Sequence, residues 1–205
     1  MKRSNTPTRR RLLRHEKRLS KSGYRLIAGV DEAGRGPLAG PVVAGAVILK
    51  DLSFKATVDD SKKLSAKKRE TAYGEILKKA IVGIGIVDEK EIDRINIYRA
   101  TLKAMALAVS NLTIPPDYII VDGNMKLNAP CPVEPIVAGD SKSLSIAAAS
   151  IIAKVTRDRL MLKYHEKYPQ YGFARHKGYA TRGHKEALKK NGPCPIHRKS
   201  FSPTY

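Results

Sequence analysis

Three apolar, strand-like runs of this sequence close on acid: Val30-Asp31-Glu32, Val121-Asp122 and Gly139-Asp140. Ligand sites of α/β sheets gather at strand ends, so acids far apart in sequence can converge there. Four carboxylates at one spot repel one another unless a divalent cation neutralises them, and all-oxygen ligation suits Mg2+ or Mn2+ rather than zinc. In a basic protein, a two-metal cluster is the expected apparatus for in-line displacement at a phosphodiester: one ion activates water and the other stabilises the leaving oxygen. Each Asp taken alone reads better as a turn cap, so the case rests on all of them together.

The first acids are followed by Gly34-Arg35-Gly36-Pro37-Leu38-Ala39-Gly40-Pro41. Glycines let backbone N–H groups approach a ligand closely, and Arg35 can grip a phosphate or a sugar edge. Gly34, Gly36 and Ala39 also match a loose dinucleotide fingerprint. That fingerprint needs a helix opening at the loop, whereas Pro41 and Val42-Val43 point to another strand.

Charge narrows the partner. Lys plus Arg number 39 against 19 Asp plus Glu, a net +20 in 205 residues, which favours a polyanion. A purely binding protein explains the charge but not the acids, which weaken polyanion binding; a metal-dependent nuclease explains both. Zero Trp and three Phe argue against a base-stacking platform for single strands. Apolar residues make up 42% of the chain, enough for a core, and no apolar run reaches the 18 or so residues of a spanning helix. With two Cys, far apart and without C-x-x-C spacing, neither a disulfide framework nor a zinc site is indicated. The protein reads as soluble and cytoplasmic, with nothing demanding more than a monomer.

The elements that must position these residues follow from periodicity. Residues 1–22 hold nine Lys or Arg and one Glu, a basic segment expected to be disordered to about Arg10 and then a short helix. Residues 23–205 form one α/β domain. Strands are expected over Tyr24–Asp31, Val42–Leu49, Ala80–Val87, Tyr118–Val121 and Glu134–Ala138. Helices are expected over Lys62–Lys79, Asn96–Asn111, Ser143–Lys167 and His184–Lys190. On the Ser143 helix, Ala147, Ser150 and Lys154 share a face that could meet the site. Lys154 and Asp158 also fit an ordinary i,i+4 pair, so Asp158 stays outside the cluster. His165, His176, His184 and His197 lack zinc spacing and read mostly as surface or phosphate-adjacent.

The run Ile27–Val47 (IAGVDEAGRGPLAGPVVAGAV), with Asp60-Ser-Lys-Lys-Leu64, Val121-Asp-Gly123, Gly139-Asp-Ser-Lys142, Ala149–Lys154 and His176-Lys-Gly-Tyr-Ala-Thr181, resembles bacterial ribonuclease HII. The likeness covers roughly Leu12 to Tyr205. It implies a ribonuclease H-like fold: a mixed central sheet flanked by helices, with a small helical C-terminal part. It implies Mn2+- or Mg2+-dependent cleavage of RNA in RNA–DNA hybrids and of DNA duplexes at embedded ribonucleotides. By motif, Asp31, Glu32, Asp122 and Asp140 become the catalytic and metal-binding acids. Gly34, Arg35 and Gly36 become the reader of the ribose 2′-hydroxyl, and Tyr179 the aromatic that stacks on the adjoining sugar. Ser61, Lys62, Lys142 and Lys154 become further substrate contacts. Departures are a more basic start and a chain ending at Tyr205, without the longer helical extension of some relatives.

Overall fold

The computed structural model describes residues 11–201. The disorder expected up to about Arg10 falls outside these residues. Helix α1 (Arg14–Lys21) precedes β1 (Ile27–Ala33) and β2 (Val42–Leu49), followed by α2 (Ala66–Lys79), β3 (Ala80–Val87) and α3 (Glu89–Ser110). Then come β4 (Tyr118–Asp122), β5 (Val133–Ile136), the long α4 (Leu144–Lys167), a one-turn α5 (Phe173–His176) and α6 (Arg182–Asn191).

The five strands make one mixed sheet in the order β3-β2-β1-β4-β5. The β1–β2 and β2–β3 pairs are antiparallel, and β1–β4 and β4–β5 are parallel. This is the expected mixed sheet, and helices cover both faces. Ala28, Val30, Ala44 and Ala46 pack with Ala100, Ala104, Met105 and Ala108 of α3 on one side. The alternate residues of β1 and β2 face α4, whose first two turns are buried on every side.

Glycines make that second contact close. A Cβ at Gly29 would lie 2.2 Å from the Ser145 carbonyl carbon, and one at Gly45 would lie 2.6 Å from the Ala149 carbonyl oxygen. The start of α4 therefore rests directly on the sheet backbone. Its N-terminus is doubly capped: Ser143 Oγ accepts from Ile146 N (3.2 Å), and Glu16 Oε1 on α1 accepts from Ser145 N (3.0 Å) and Ser143 Oγ (2.6 Å). A carboxylate there also meets the positive end of the helix dipole.

Several boundaries differ from the sequence expectation for local reasons. The first strand begins at Ile27 because the Arg25 and Leu26 amides donate to the Asp117 carboxylate (2.7 and 3.0 Å). At its other end β1 runs on to Ala33, so Glu32, expected just past the strand, lies inside it with Asp31. The helix expected from Lys62 is split: Asp60 caps a 3-10 turn over Ser61–Lys63, and Ser65 caps a fresh start at Ala66. The helix expected from Asn96 starts at Glu89 under an Asp88 cap, with Asn96 a kink at φ 68°. There Asn96 Oδ1 accepts from Arg99 N (3.1 Å), a second cap inside the helix. The fifth strand stops at Ile136, and Asp140 sits on a 3-10 turn, Gly139–Ser141, instead of a strand end.

Candidate active site

Register brings the first acids together. Val30 pairs with Val121 in the parallel β1–β4 ladder, so Asp31 and Asp122 are neighbours on one face of the sheet. Asp31 is buried, and its face is the one α4 covers, where the Ser150 hydroxyl favours its charged form. Ser61 Oγ lies 2.9 Å from Ser150 Oγ, which ties the 60–64 loop to the same acid. Asp122 Oδ1 accepts from the Gly139 amide (2.6 Å), which draws the Gly139–Ser141 turn over β4 and sets the buried Asp140 beside it.

The electrostatics reflect this proximity. Burial, then Glu32, then Asp122 push Asp31 well above the usual carboxylate range. Burial raises Glu32, Arg35 opposes that rise, and Asp122 adds to it. Burial, Asp122 and Asp60 raise Asp140, against the pull of Lys62, whose Nζ stands 3.9 Å from Asp140 Oδ2. Among the described residues no group of three or more His, Cys, Asp or Glu is already gathered around a single point. Asp31, Glu32 and Asp140 each feel the Asp122 carboxylate, and the four acids remain short of a closed cage.

The glycine loop is fixed by two buried arginines. Arg198, 2% exposed, donates from Nε to the Gly40 carbonyl (2.9 Å), from Nη1 to Arg35 (2.9 Å) and from Nη2 to Gly34 (2.5 Å) and Gly40 (2.8 Å). Arg157, fully buried on α4, donates to the carbonyls of Pro41 (2.9 Å), Ala39 (3.1 Å) and Lys177 (3.0 Å). A trans peptide sets its N–H opposite its C=O. With the Gly34 and Arg35 carbonyls turned onto Arg198, the amides of Arg35 and Gly36 point away from it, as a backbone reader of a ligand requires. Gly34 is obligatory here: its φ is +101°, and a Cβ would lie 2.1 Å from Arg157 Nε.

Tyr179 stands over the same loop. It is 43% exposed, and a Cβ on Gly36 would meet its Cε1 at 3.9 Å. Lys154 Nζ and the Arg157 guanidinium each lie 5.9 Å from its ring centroid. Lys154 also pairs with Asp158 at 2.7 Å, as the i,i+4 spacing suggests. Arg35 Nη1 lies 3.5 Å from Glu32 Oε1 with its side chain half exposed. Lys142 turns its Nζ to the Val137 carbonyl (2.6 Å) and lines a basic pocket of about 320 Å3 with Arg11, Arg14, His15 and Ser141.

The geometry thus sets Asp31, Glu32, Asp122, Asp140, Ser61 and Lys62 near one another at the same end of β1 and β4, and Gly34, Arg35, Gly36, Lys154 and Tyr179 beside them. Two histidines differ from the expectation of surface positions: His184 and His197 are buried against Phe173 and Tyr171, because the C-terminal tail folds back under the loop. Sequence reading missed Arg157 and Arg198. Arg157 continues the Ala147, Ser150, Lys154 face by one more turn, a signal that was present. Arg198 has no sequence signal, being 158 residues from the nearest carbonyl it holds.

Comparison with known proteins gives consistent results. A family model described as Ribonuclease HII matches residues 28–204. Ribonuclease HII of Geobacter metallireducens is 55% identical over 94% of this chain and 91% of its own length. That of Acetivibrio thermocellus is 58% identical over 93% of this chain and 75% of its own. The crystal structure of ribonuclease H2 from Pyrococcus horikoshii superposes with a TM-score of 0.74 at 30% identity, covering 87% of this chain and 95% of that one.

Proposed function

The chain belongs to the ribonuclease HII family and is a ribonuclease H; from that premise we propose a metal-dependent endonuclease that cuts RNA in RNA–DNA hybrids and nicks DNA duplexes 5′ of embedded ribonucleotides, leaving 3′-hydroxyl and 5′-phosphate ends. The observation that carries the reading is the meeting of Asp31, Glu32, Asp122 and Asp140 beside the arginine-held glycine loop and Tyr179. The substrates are RNA–DNA hybrids and ribonucleotide-containing duplex DNA, and the tasks are ribonucleotide removal and RNA primer removal. Among the described residues no helix is long and apolar enough to cross a membrane.

The acids fit a hard divalent cation. Their donor set is all oxygen, which suits Mn2+ or Mg2+, and the repulsion and burial that raise Asp31, Glu32 and Asp140 are relieved by positive charge at that point. Asp31, Glu32, Asp122 and Asp140 would hold it, two ions being the expected number. Bound there, such ions supply an activated water and charge stabilisation at the leaving oxygen.

The chain's own residues do the rest. Lys62 offsets the excess negative charge next to Asp140 and can meet a phosphate. The Ser61–Ser150 contact holds the Asp31 carboxylate in place. The outward amides of Arg35 and Gly36 offer donors to a 2′-hydroxyl, the one group that separates ribose from deoxyribose. Tyr179 presents a flat apolar face to the adjoining sugar, while Lys154 and Arg35 supply charge to phosphates. Lys142 would add a phosphate contact from the basic pocket. Because the loop follows Asp31-Glu32 by a single residue, a misplaced reader also displaces the acids, coupling recognition to chemistry.

The test is incubation with an RNA–DNA hybrid and Mn2+ or Mg2+, with and without EDTA. Cut RNA that disappears with EDTA supports the reading; cleavage undiminished by the chelator contradicts it.

A further inference from the structure

A cluster of three histidines lies under the C-terminal part, outside the acidic site. His176 ends α5, His184 lies on α6 and His197 follows in the tail. The rings of His176 and His184 stack with centroids 4.5 Å apart, and His184 and His197 lie 5.2 Å apart. Phe173 packs edge-on against His176 and His184. The bonds around the rings settle their tautomers. A backbone amide can only donate, so His197 Nδ1, which takes the Cys194 amide at 2.9 Å, is an acceptor; the Cys194 carbonyl, 3.2 Å from the same nitrogen, already takes the His197 amide at 2.9 Å. Its proton then sits on Nε2, 3.0 Å from His184 Nε2, which must accept. The His184 proton is left on Nδ1, where it donates to the Tyr179 carbonyl at 2.9 Å. Likewise His176 Nδ1 accepts from the Gly178 amide (3.2 Å) and its Nε2 donates to the Tyr171 carbonyl (2.8 Å). All three rings are neutral with both nitrogens engaged. None is left for a metal ion.

We infer that the chain Cys194 N–H, His197, His184, Tyr179 C=O is a positioning relay that holds Tyr179 at the recognition site. This rests on the proposed reading of Tyr179 as the sugar-stacking residue. The exposed Tyr179 ring has little packing of its own, so its backbone must be fixed. Its amide donates to the His176 carbonyl (3.0 Å), and its carbonyl takes the Thr181 amide (2.8 Å) besides His184. The preceding Gly178 carbonyl takes the Leu38 amide at 2.8 Å, joining the segment to the glycine loop. A proton added to His184 Nε2 sets its N–H against the His197 Nε2–H and breaks that link of the relay, while the His184 Nδ1–H goes on donating to the Tyr179 carbonyl.

The surroundings keep the relay neutral. Facing His176 are Arg175, Lys177 and His165; facing His184 are His176 and His197; facing His197 are His176 and the Cys194 thiol, with Arg198 adjacent in sequence. Burial comes first, and these cations and imidazoles add to it: His184 is lowered to about 4, and His176 and His197 fall below their ordinary value.

The test uses the full chain. Imidazole 15N NMR at pH 7 should find the proton on Nδ1 of His184 and on Nε2 of His176 and His197. Acid titration of His184 should move the Tyr179 amide resonance at the same midpoint. Other tautomers, or a charged His184 at pH 7, would overturn the relay; a Tyr179 resonance indifferent to the titration would overturn its link to His184.

Single-turnover cleavage and equilibrium binding are then measured on a DNA duplex with one ribonucleotide. His184→Leu should lower turnover on the order of tenfold to a hundredfold, with affinity nearly unchanged, since displacement by about 1 Å has that effect on rate. His184→Asn retains a donor near the Nδ1 position and should recover most of the loss, which a merely structural role would not predict. In a Tyr179→Ala background His184→Leu should add nothing; independent, multiplying losses would overturn the inference. If Tyr179→Ala alone keeps full turnover, the sugar-stacking reading fails, and the NMR pattern separately decides whether the relay exists.

Discussion

Replacing Arg198 by Met tests whether the glycine loop owes its shape to a buried guanidinium. The substitution keeps the apolar stem and removes the donors to the Gly34, Arg35 and Gly40 carbonyls. A buried carbonyl left without a partner costs about 1–3 kcal/mol. Against that stands the relief of a strained cation: burial first, and Arg157 second, hold Arg198 down to about 9. Because three acceptors are orphaned at once, the loss dominates, and a net destabilisation of about 2–4 kcal/mol is expected. In a chain of this size that lowers Tm by about 5–15 °C. Released carbonyls no longer hold the Arg35 and Gly36 amides outward, so single-turnover cleavage at an isolated ribonucleotide should fall on the order of tenfold to a hundredfold. Arg198→Lys keeps the charge without the planar fork and should fall between. Melting within about 1 °C of wild type, with unchanged turnover for Arg198→Met, would refute the clamp.

Three further outcomes follow from the packing and charge. Asp31→Asn removes a buried charge repelled by Glu32 and Asp122, so it should abolish cleavage yet raise stability by about 0.5–2 kcal/mol, read as a higher Tm without added metal; retained turnover would remove Asp31 from the site. Gly29→Ala puts a Cβ 2.2 Å from the α4 backbone and should cost about 1–3 kcal/mol, whereas Gly74→Ala, on α2 with nothing within 4 Å, should gain about 0.5–1 kcal/mol; equal melting shifts would contradict the direct helix-on-sheet contact. Unfolded histidines take up protons that the buried ones refuse, so the His184 contribution to stability is intact above pH 6.5 and is lost as pH falls toward about 4. Melting curves over that range should decline more steeply for wild type than for His184→Asn; parallel declines would count against it.

Much of the site was legible because its acids end or interrupt apolar runs, a pattern that survives in one dimension. Four of the strands were legible for the same reason, as apolar runs bounded by Gly, Pro or charge, whereas β5 carries Glu134 and Pro135 within its four residues. What the sequence hid was set by side chains capping backbone: Asp117 shortens the first strand, Asp60 and Ser65 divide one expected helix, and Asn96 bends another. Asp140 reads as a strand end but is placed by the Asp122 carboxylate catching the Gly139 amide. His184 and His197 read as surface residues because nothing local marks the tail that buries them. Arg198 is the extreme case: its partners lie more than 150 residues away, and its role exists only once the tail has crossed the loop.

The most direct measurement is mapping of the cut in a DNA duplex carrying one ribonucleotide, with Mn2+ or Mg2+, for wild type and Asp140→Asn. A single metal-dependent nick 5′ of the ribonucleotide is expected, with a 3′-hydroxyl and a 5′-phosphate, an intact all-DNA control, and no cut by the variant although it still binds. Efficient cutting of the all-DNA duplex, or turnover by Asp140→Asn within a few-fold of wild type, would contradict the account.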